Sequence, residues 1–221
     1  MNGSHKSIPA FRTECGDILY LFASEQRREH GAEAVGKDAV TVLREMQTVC
    51  TEGNIPFGCV TKADAEPLCD VGRTELFALH PPEVDRVFVS PMKRCLESAA
   101  ILYPHIEPEI IDDFRECDFG SFENRGYREL NGLAEYQRWI DSGGELSFPS
   151  GESRTEFEDR CIAAYEKLRR SFHGDCALIV HGGTIMAIME QYALPKRGYF
   201  DYQAGNGKGY ILYEDGSYTP I

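Results

Sequence analysis

The chain has 221 residues, 42% of them hydrophobic, which suits one large domain or two small ones with a full globular core. Its formal net charge of −13 argues against a nucleic-acid partner, which calls for a basic face. Any anionic ligand must then be drawn in by local Arg and Lys, since the overall field repels it.

Residues 1–38 read as an N-terminal extension; DILYLFASEQRREHGAEA is either a strand with a loop or a helix starting near Asp17. The core pattern begins with AVTVL (39–43), followed by further strand candidates at RVFVS (86–90), EIIDD (109–113), CALIV (176–180) and GYILYE (209–214). Each is short and rich in β-branched or aromatic residues. Helix candidates lie between them. MKRCLESAAILY (92–103) has a helical apolar stripe at 95, 96, 99, 100 and 102, and Pro91 stands where a first helical turn tolerates proline. The stretch 151–172 places Glu early and Lys and Arg late, as the helix dipole favours. TIMAIMEQYAL (184–194) is the last helix.

Strands alternating with helices predict a three-layer α/β/α sandwich with a mostly parallel central sheet. In such sheets ligands bind beyond the carboxyl ends of the strands. Arg44, Glu45, Ser90, Glu116 and His181 all follow predicted strand ends. The eight cysteines, at 15, 50, 59, 69, 95, 117, 161 and 176, include no CxxC pair, and several fall in apolar runs. Reduced, mostly buried thiols are the simpler reading, and the spacing matches no zinc site. No segment is long enough to cross a bilayer, and the N-terminus lacks a signal-peptide pattern, so a cytoplasmic protein is expected.

Four strings in order carry a resemblance: VLREMQT (42–48), SPMKR (90–94), FRECDFGSFEN (114–124) and VHGG (180–183). The chain resembles the histidine phosphatase superfamily, phosphoglycerate-mutase-like branch. ECDFGSFENRGYREL (116–130), YQRWIDSGG (136–144) and FPSGES (148–153) make it most similar to α-ribazole-phosphatase-like proteins. The likeness runs from about 39 to 213, with PLCDVGR (67–73) supporting the register. It implies a domain over 39–221 with a cap at about 114–150. It also implies phosphoryl transfer through a phosphohistidine, with no metal or other cofactor, on a small phosphorylated metabolite. Carried over by position, Arg44 and Arg94 match the two phosphate-binding arginines, Glu116 the proton donor and His181 the second histidine. Thr48 and Gly182 match further phosphate-side positions. The nucleophile's place holds Glu45, with Met46 where the family has glycine and Thr51 where it usually has asparagine.

Two other registers are open. His30 in RREHG comes after a polar stretch, not a strand, and taking 18–22 as the first strand would put Ser24 at the nucleophile. With Glu45 there, a carboxylate about 4 Å from a phosphate costs roughly 4 kcal/mol per pair of unit charges at an effective dielectric near 20. Glu45 is therefore expected to bridge Arg44 or Arg94 and fill the phosphate's place. The expected function is a small-ligand-binding protein, a pseudoenzyme whose phosphohistidine catalysis is lost or impaired. The alternatives are an active phosphomonoester hydrolase with a substituted nucleophile, Glu45 forming an acyl phosphate, a metal on Glu45, Glu116 and His181, or a partner-binding protein using its acidic surface. Each site residue also has a plainer reading: His181 as a core histidine, Arg94 as a solvated helix residue, Glu116 as a loop acid, and Ser90 as a helix cap. Glu152 and Ser153 either touch the pocket or begin a helix. Phe119, Phe122, Tyr127 and Tyr136 read as packing. Neither the ligand nor the oligomeric state is legible.

Overall fold

The computed structural model describes residues 17–23, 40–42, 45–47, 67, 68, 70–123, 125, 127–204 and 209–221, with backbone alone for the three segments before 48 and at 71, 127 and 128. Among these residues eight strands form one sheet: β1 Asp17–Ala23, β2 Val40–Val42, β3 Glu45–Gln47, β4 Arg86–Val89, β5 Glu109–Ile110, β6 Cys176–Val180, β7 Tyr210–Tyr213 and β8 Tyr218–Pro220. The order is β3-β1-β7-β2-β6-β4-β5, with β8 on β7. Among the described residues six α-helices accompany it: α1 Asp70–Phe77, α2 Lys93–Leu102, α3 Tyr127–Leu130, α4 Ala134–Asp141, α5 Arg154–Ser171 and α6 Gly182–Tyr192. No helix among the described residues is long and apolar enough to cross a membrane.

The centre of the sheet is parallel. β4 pairs with β5 on one side and β6 on the other, Val87 opposite Ala177 and Val89 opposite Ile179. Both faces of this centre are covered. Val87, Val89, Ala177 and Ile179 pack with Leu76 of α1 and Cys95, Ala99 and Leu102 of α2. Phe88, Leu178 and Val180 point the other way, against Ala164 and Leu168 of α5 and Ile185, Ile188 and Met189 of α6. Successive strand residues face opposite sides, so an uninterrupted apolar run such as CALIV fits only a strand buried on both faces. All five of its residues are buried. The three-layer α/β sandwich read from the sequence is the observed fold.

The other edge of β6 carries two registrations. β2 pairs with it in parallel, Thr41 opposite Cys176 and Val42 opposite Ala177. β1 runs antiparallel to it, from Leu19 opposite Val180 to Ala23 opposite Cys176. In the strand order β2 lies between β7 and β6, with Val42 also opposite Ile211.

Several boundaries move. The 109–113 segment makes only two residues of strand, and Asp112–Phe114 turns into a 3-10 helix that buries Phe114 beneath α5. Helix α2 begins at Lys93, two residues after Pro91. The Ser153 side chain caps α5 and exchanges hydrogen bonds with Glu156 in a capping box, so the helix starts at Arg154. Helices α1, α3 and α4 and strands β3 and β8 have no counterpart among the sequence-predicted elements. A separate aromatic cluster joins Phe122, Leu130 and Trp139 with Tyr136 and Phe148, and Phe119 meets Phe148 edge-on at 5.0 Å. Cys95, Cys117, Cys161 and Cys176, the cysteines among the described residues, are all free.

Candidate functional site

The carboxyl ends of β4 and β6 lie side by side, and the turns leaving the two strands meet there. After β6 the chain gives His181, the N-cap residue of α6, with extended backbone angles. After β4 it gives Ser90, and the first turn of α2 gives Arg94. His181 and Ser90 are fully buried and Arg94 is 1% exposed. The Ser90 Oγ is 2.7 Å from His181 Nε2, and an Arg94 guanidinium nitrogen is 3.1 Å from His181 Nδ1. Arginine has donors only, so Nδ1 accepts and the ring proton sits on Nε2, donated to Ser90.

Glu116 completes the group. It sits in the irregular stretch between the 3-10 turns at Asp112–Phe114 and Gly120–Phe122. One carboxylate oxygen accepts from the Cys117 amide at 3.0 Å, and the other lies 3.7 Å from His181 Nδ1. A guanidinium buried as deeply as that of Arg94 is stable only beside negative charge or good acceptors, and His181 Nδ1 is one such acceptor.

Cys95 lies at the floor, its sulfur 3.8 Å from His181 Nε2. Burial pushes its thiol up to about 12, against the pull of Arg94 and the hydrogen bond of Ser90. Such a thiol is a poor nucleophile at neutral pH.

Of the sequence-predicted site residues, Arg94, Glu116 and His181 are brought together. Gly182 opens α6 directly after His181. Glu45 begins β3, where backbone alone is described, paired with Leu19. In the strand order β3-β1-β7-β2-β6, three strands stand between β3 and β6. Arg44, Thr48, His30 and Ser24 lie outside the described residues. Ser90 is more than a helix cap: besides a long 3.4 Å bond from the Met92 amide, it is a direct partner of His181.

Two features went unread in the sequence. Glu152 does not reach His181; it forms a two-pronged ion pair with Arg160, at 2.9 and 2.7 Å. Gly120 and Gly151 mark where the 118–120 and 149–151 backbones cross. A Cβ on Gly120 would stand 2.2 Å from the Pro149 carbonyl oxygen, and one on Gly151 2.3 Å from that of Asp118. The glycines of DFG and PSGES were the available signal. Away from all this, a groove lined by Tyr165, Phe172, His173, Tyr192 and Glu214 opens near Cys176, at the opposite end of β6.

The family model described as "Histidine phosphatase superfamily (branch 1)" matches residues 66–218. The chain belongs to the histidine phosphatase superfamily. The match begins beyond Glu45, so it covers Arg94, Glu116 and His181 but not the stretch 44–48. Among solved structures, a candidate α-ribazole-5′-phosphate phosphatase from Escherichia coli superposes with a TM-score of 0.65 at 19% identity, over 74% of this chain and 86% of that one. Among curated proteins, a candidate phosphoserine phosphatase of Hydrogenobacter thermophilus is 25% identical over 111 residues, 48% of this chain and 55% of the relative. The uncharacterized phosphatase PhoE of Bacillus subtilis is 29% identical over 110 residues, 48% of this chain and 52% of the relative. The chain thus spans about half the length of the curated relatives it matches. Within this superfamily fold, the His181 cluster occupies the strand-end position at which α/β sheets bind ligands.

Proposed function

We propose that this is a histidine-phosphatase-fold protein that binds a small ligand, and that Glu45 at the nucleophile position has cost it the phosphohistidine route. One observation carries the reading: Arg94 and His181, on which an anion would rest, are 1% and 0% exposed. A site open to phosphate leaves such groups reachable. In this reading the chain itself covers them, and the phosphate's place is taken by a Glu45 carboxylate bridging Arg44 or Arg94. Strand β2, parallel to β6, runs toward the His181 end, whereas β1 exits at Ala23, level with Cys176 at the remote end. This supports the register that takes 39–43, not 18–22, as the strand before the nucleophile. In this reading residues 39–221 form the domain, 114–150 its cap and 1–38 an extension, and the protein works in the cytoplasm.

A second reading keeps phosphomonoester hydrolysis, as the names of the relatives suggest and as the intact Arg94, Glu116 and His181 group favours. It needs a substituted nucleophile, Glu45 forming an acyl phosphate; Cys95 is unsuited by its burial and raised thiol. The test is turnover of p-nitrophenyl phosphate from acid to neutral pH, with and without Mg²⁺, by the natural chain and by Glu45→His. In the variant the new imidazole forms a bond to phosphorus as the ester P–O bond breaks, and water then cleaves the phosphohistidine. An inert natural chain and a Glu45→His variant faster by at least about a hundredfold, the lower end of what a positioned catalytic group contributes, support the proposal. Metal-independent turnover by the natural chain supports the second reading instead.

A further inference from the structure

Glu116 lies in a stretch with no helix or strand of its own, yet its carboxylate must be held to within about half an ångström to act on a ligand. The restraint comes from α5. Arg160 donates through Nη1 to the carbonyls of Asp113, at 2.6 Å, and Arg115, at 3.1 Å. Its Nε and Nη2 grip both oxygens of Glu152. Glu152 in turn accepts from the Asp118 amide at 3.0 Å and donates its own amide to the Asp118 carbonyl at 2.8 Å. The backbone is therefore anchored on both sides of Glu116, at 113 and 115 before it and at 118 after it. The planar fork of Arg160 serves two carbonyls and one carboxylate at once, which a lysine cannot do.

We propose that Arg160 is the positioning residue for Glu116, acting through Glu152 and the backbone of 113–118 to aim the acid at the leaving oxygen of a phosphoester. This rests on the reading of Glu116 as the site's proton donor. In the reaction, the pair of electrons from the breaking P–O bond goes to the leaving oxygen, which takes the proton of Glu116. A phenolic leaving group departs readily without that proton; an alkoxide does not.

The experiment uses the full chain carrying Glu45→His, alone and with Arg160→Met, Arg160→Lys, Glu152→Gln or Glu116→Gln. Hydrolysis of p-nitrophenyl phosphate is compared with that of glycerol 2-phosphate. Arg160→Met and Glu152→Gln are expected to lower kcat for the alkyl ester by about tenfold or more, as a misaimed general acid does. The aryl ester should change less than threefold (roughly; about 0.6 kcal/mol by the tenfold-per-1.36 rule), as for Glu116→Gln. Arg160→Lys should not rescue. Equal losses on both esters, or none on either, overturn the proposal. Should Glu45→His prove inert on every ester, the lost-nucleophile reading fails on its own, and the positioning claim is decided by crystal structures of Arg160→Met and Glu152→Gln in the natural background. Displacement of the Glu116 carboxylate away from its 3.7 Å approach to His181 in both supports it, and an unmoved carboxylate in a folded variant overturns it.

Discussion

Replacing Ser90 by alanine tests the tautomer logic on which the candidate site stands. The hydroxyl is 2.7 Å from His181 Nε2, and both side chains are fully buried. With Arg94 donating to Nδ1, Nε2 carries the proton, so the substitution removes the acceptor of a buried N–H. The Cys95 sulfur, 3.8 Å away, is a weak acceptor at that range. Leaving a buried donor unsatisfied costs about 1–3 kcal/mol. For a chain of this size each kcal/mol lowers Tm by about 2–4 °C, so a fall of roughly 4–8 °C is expected for a mid-range loss of about 2 kcal/mol. Differential scanning calorimetry gives the Tm, and nitrogen–proton correlation spectra of the imidazole give the tautomer. The natural chain should show His181 protonated on Nε2. A Tm within about 1 °C of the natural chain, smaller than the least of these costs, would refute the hydrogen-bond argument, and a proton on Nδ1 would refute the Arg94 contact.

Gly151→Ala places a methyl 2.3 Å from the Asp118 carbonyl oxygen and 2.6 Å from the Gly120 amide; with backbone on both sides the loops must part, and thermal denaturation should show a loss of about 1–3 kcal/mol. Acid stability should fall with Glu152 and Glu156. Burial raises the Glu152 carboxyl, but the Arg160 and Asp118 hydrogen bonds outweigh it and hold it below the ordinary value of 4.5; the Ser153 amide and hydroxyl hold Glu156 low as well. A lowered folded value means the unfolded chain protonates first, so this stabilisation is complete above about pH 4.5 and is lost as pH drops through the folded values. The Tm difference between the natural chain and Glu152→Gln should accordingly shrink below pH 4.5, and a difference constant from pH 7 to pH 3 would contradict it.

The fold was legible because its strongest signal is the buried parallel strand. CALIV and the VFV of RVFVS have no polar residue to assign to a wet face, and each strand ends where a helix pattern begins. The cluster at their ends was legible for the same reason: Ser90, Arg94 and His181 come within a few residues of those strands, and the sheet brings neighbouring strand ends together whatever their separation in sequence. Glu116 was located by resemblance more than by pattern, since its surroundings are irregular and are held in place by Arg160, 44 positions along the chain. That kind of support has no periodicity to read. Arg160 sits among ordinary charged residues of an amphipathic helix, and nothing in RTEFEDRC separates it from Arg154, whose guanidinium instead stacks 4.0 Å over the Tyr199 ring. Glu152 and Ser153 show the same limit from the other side: adjacent residues of one motif, both able to cap a helix, yet one caps α5 and the other anchors the acid loop. The choice is made by the crossing of the two glycine loops, a long-range packing fact. A change at Gly120 or Gly151 should therefore disturb Glu116 as much as it disturbs stability, because the same contact sets both.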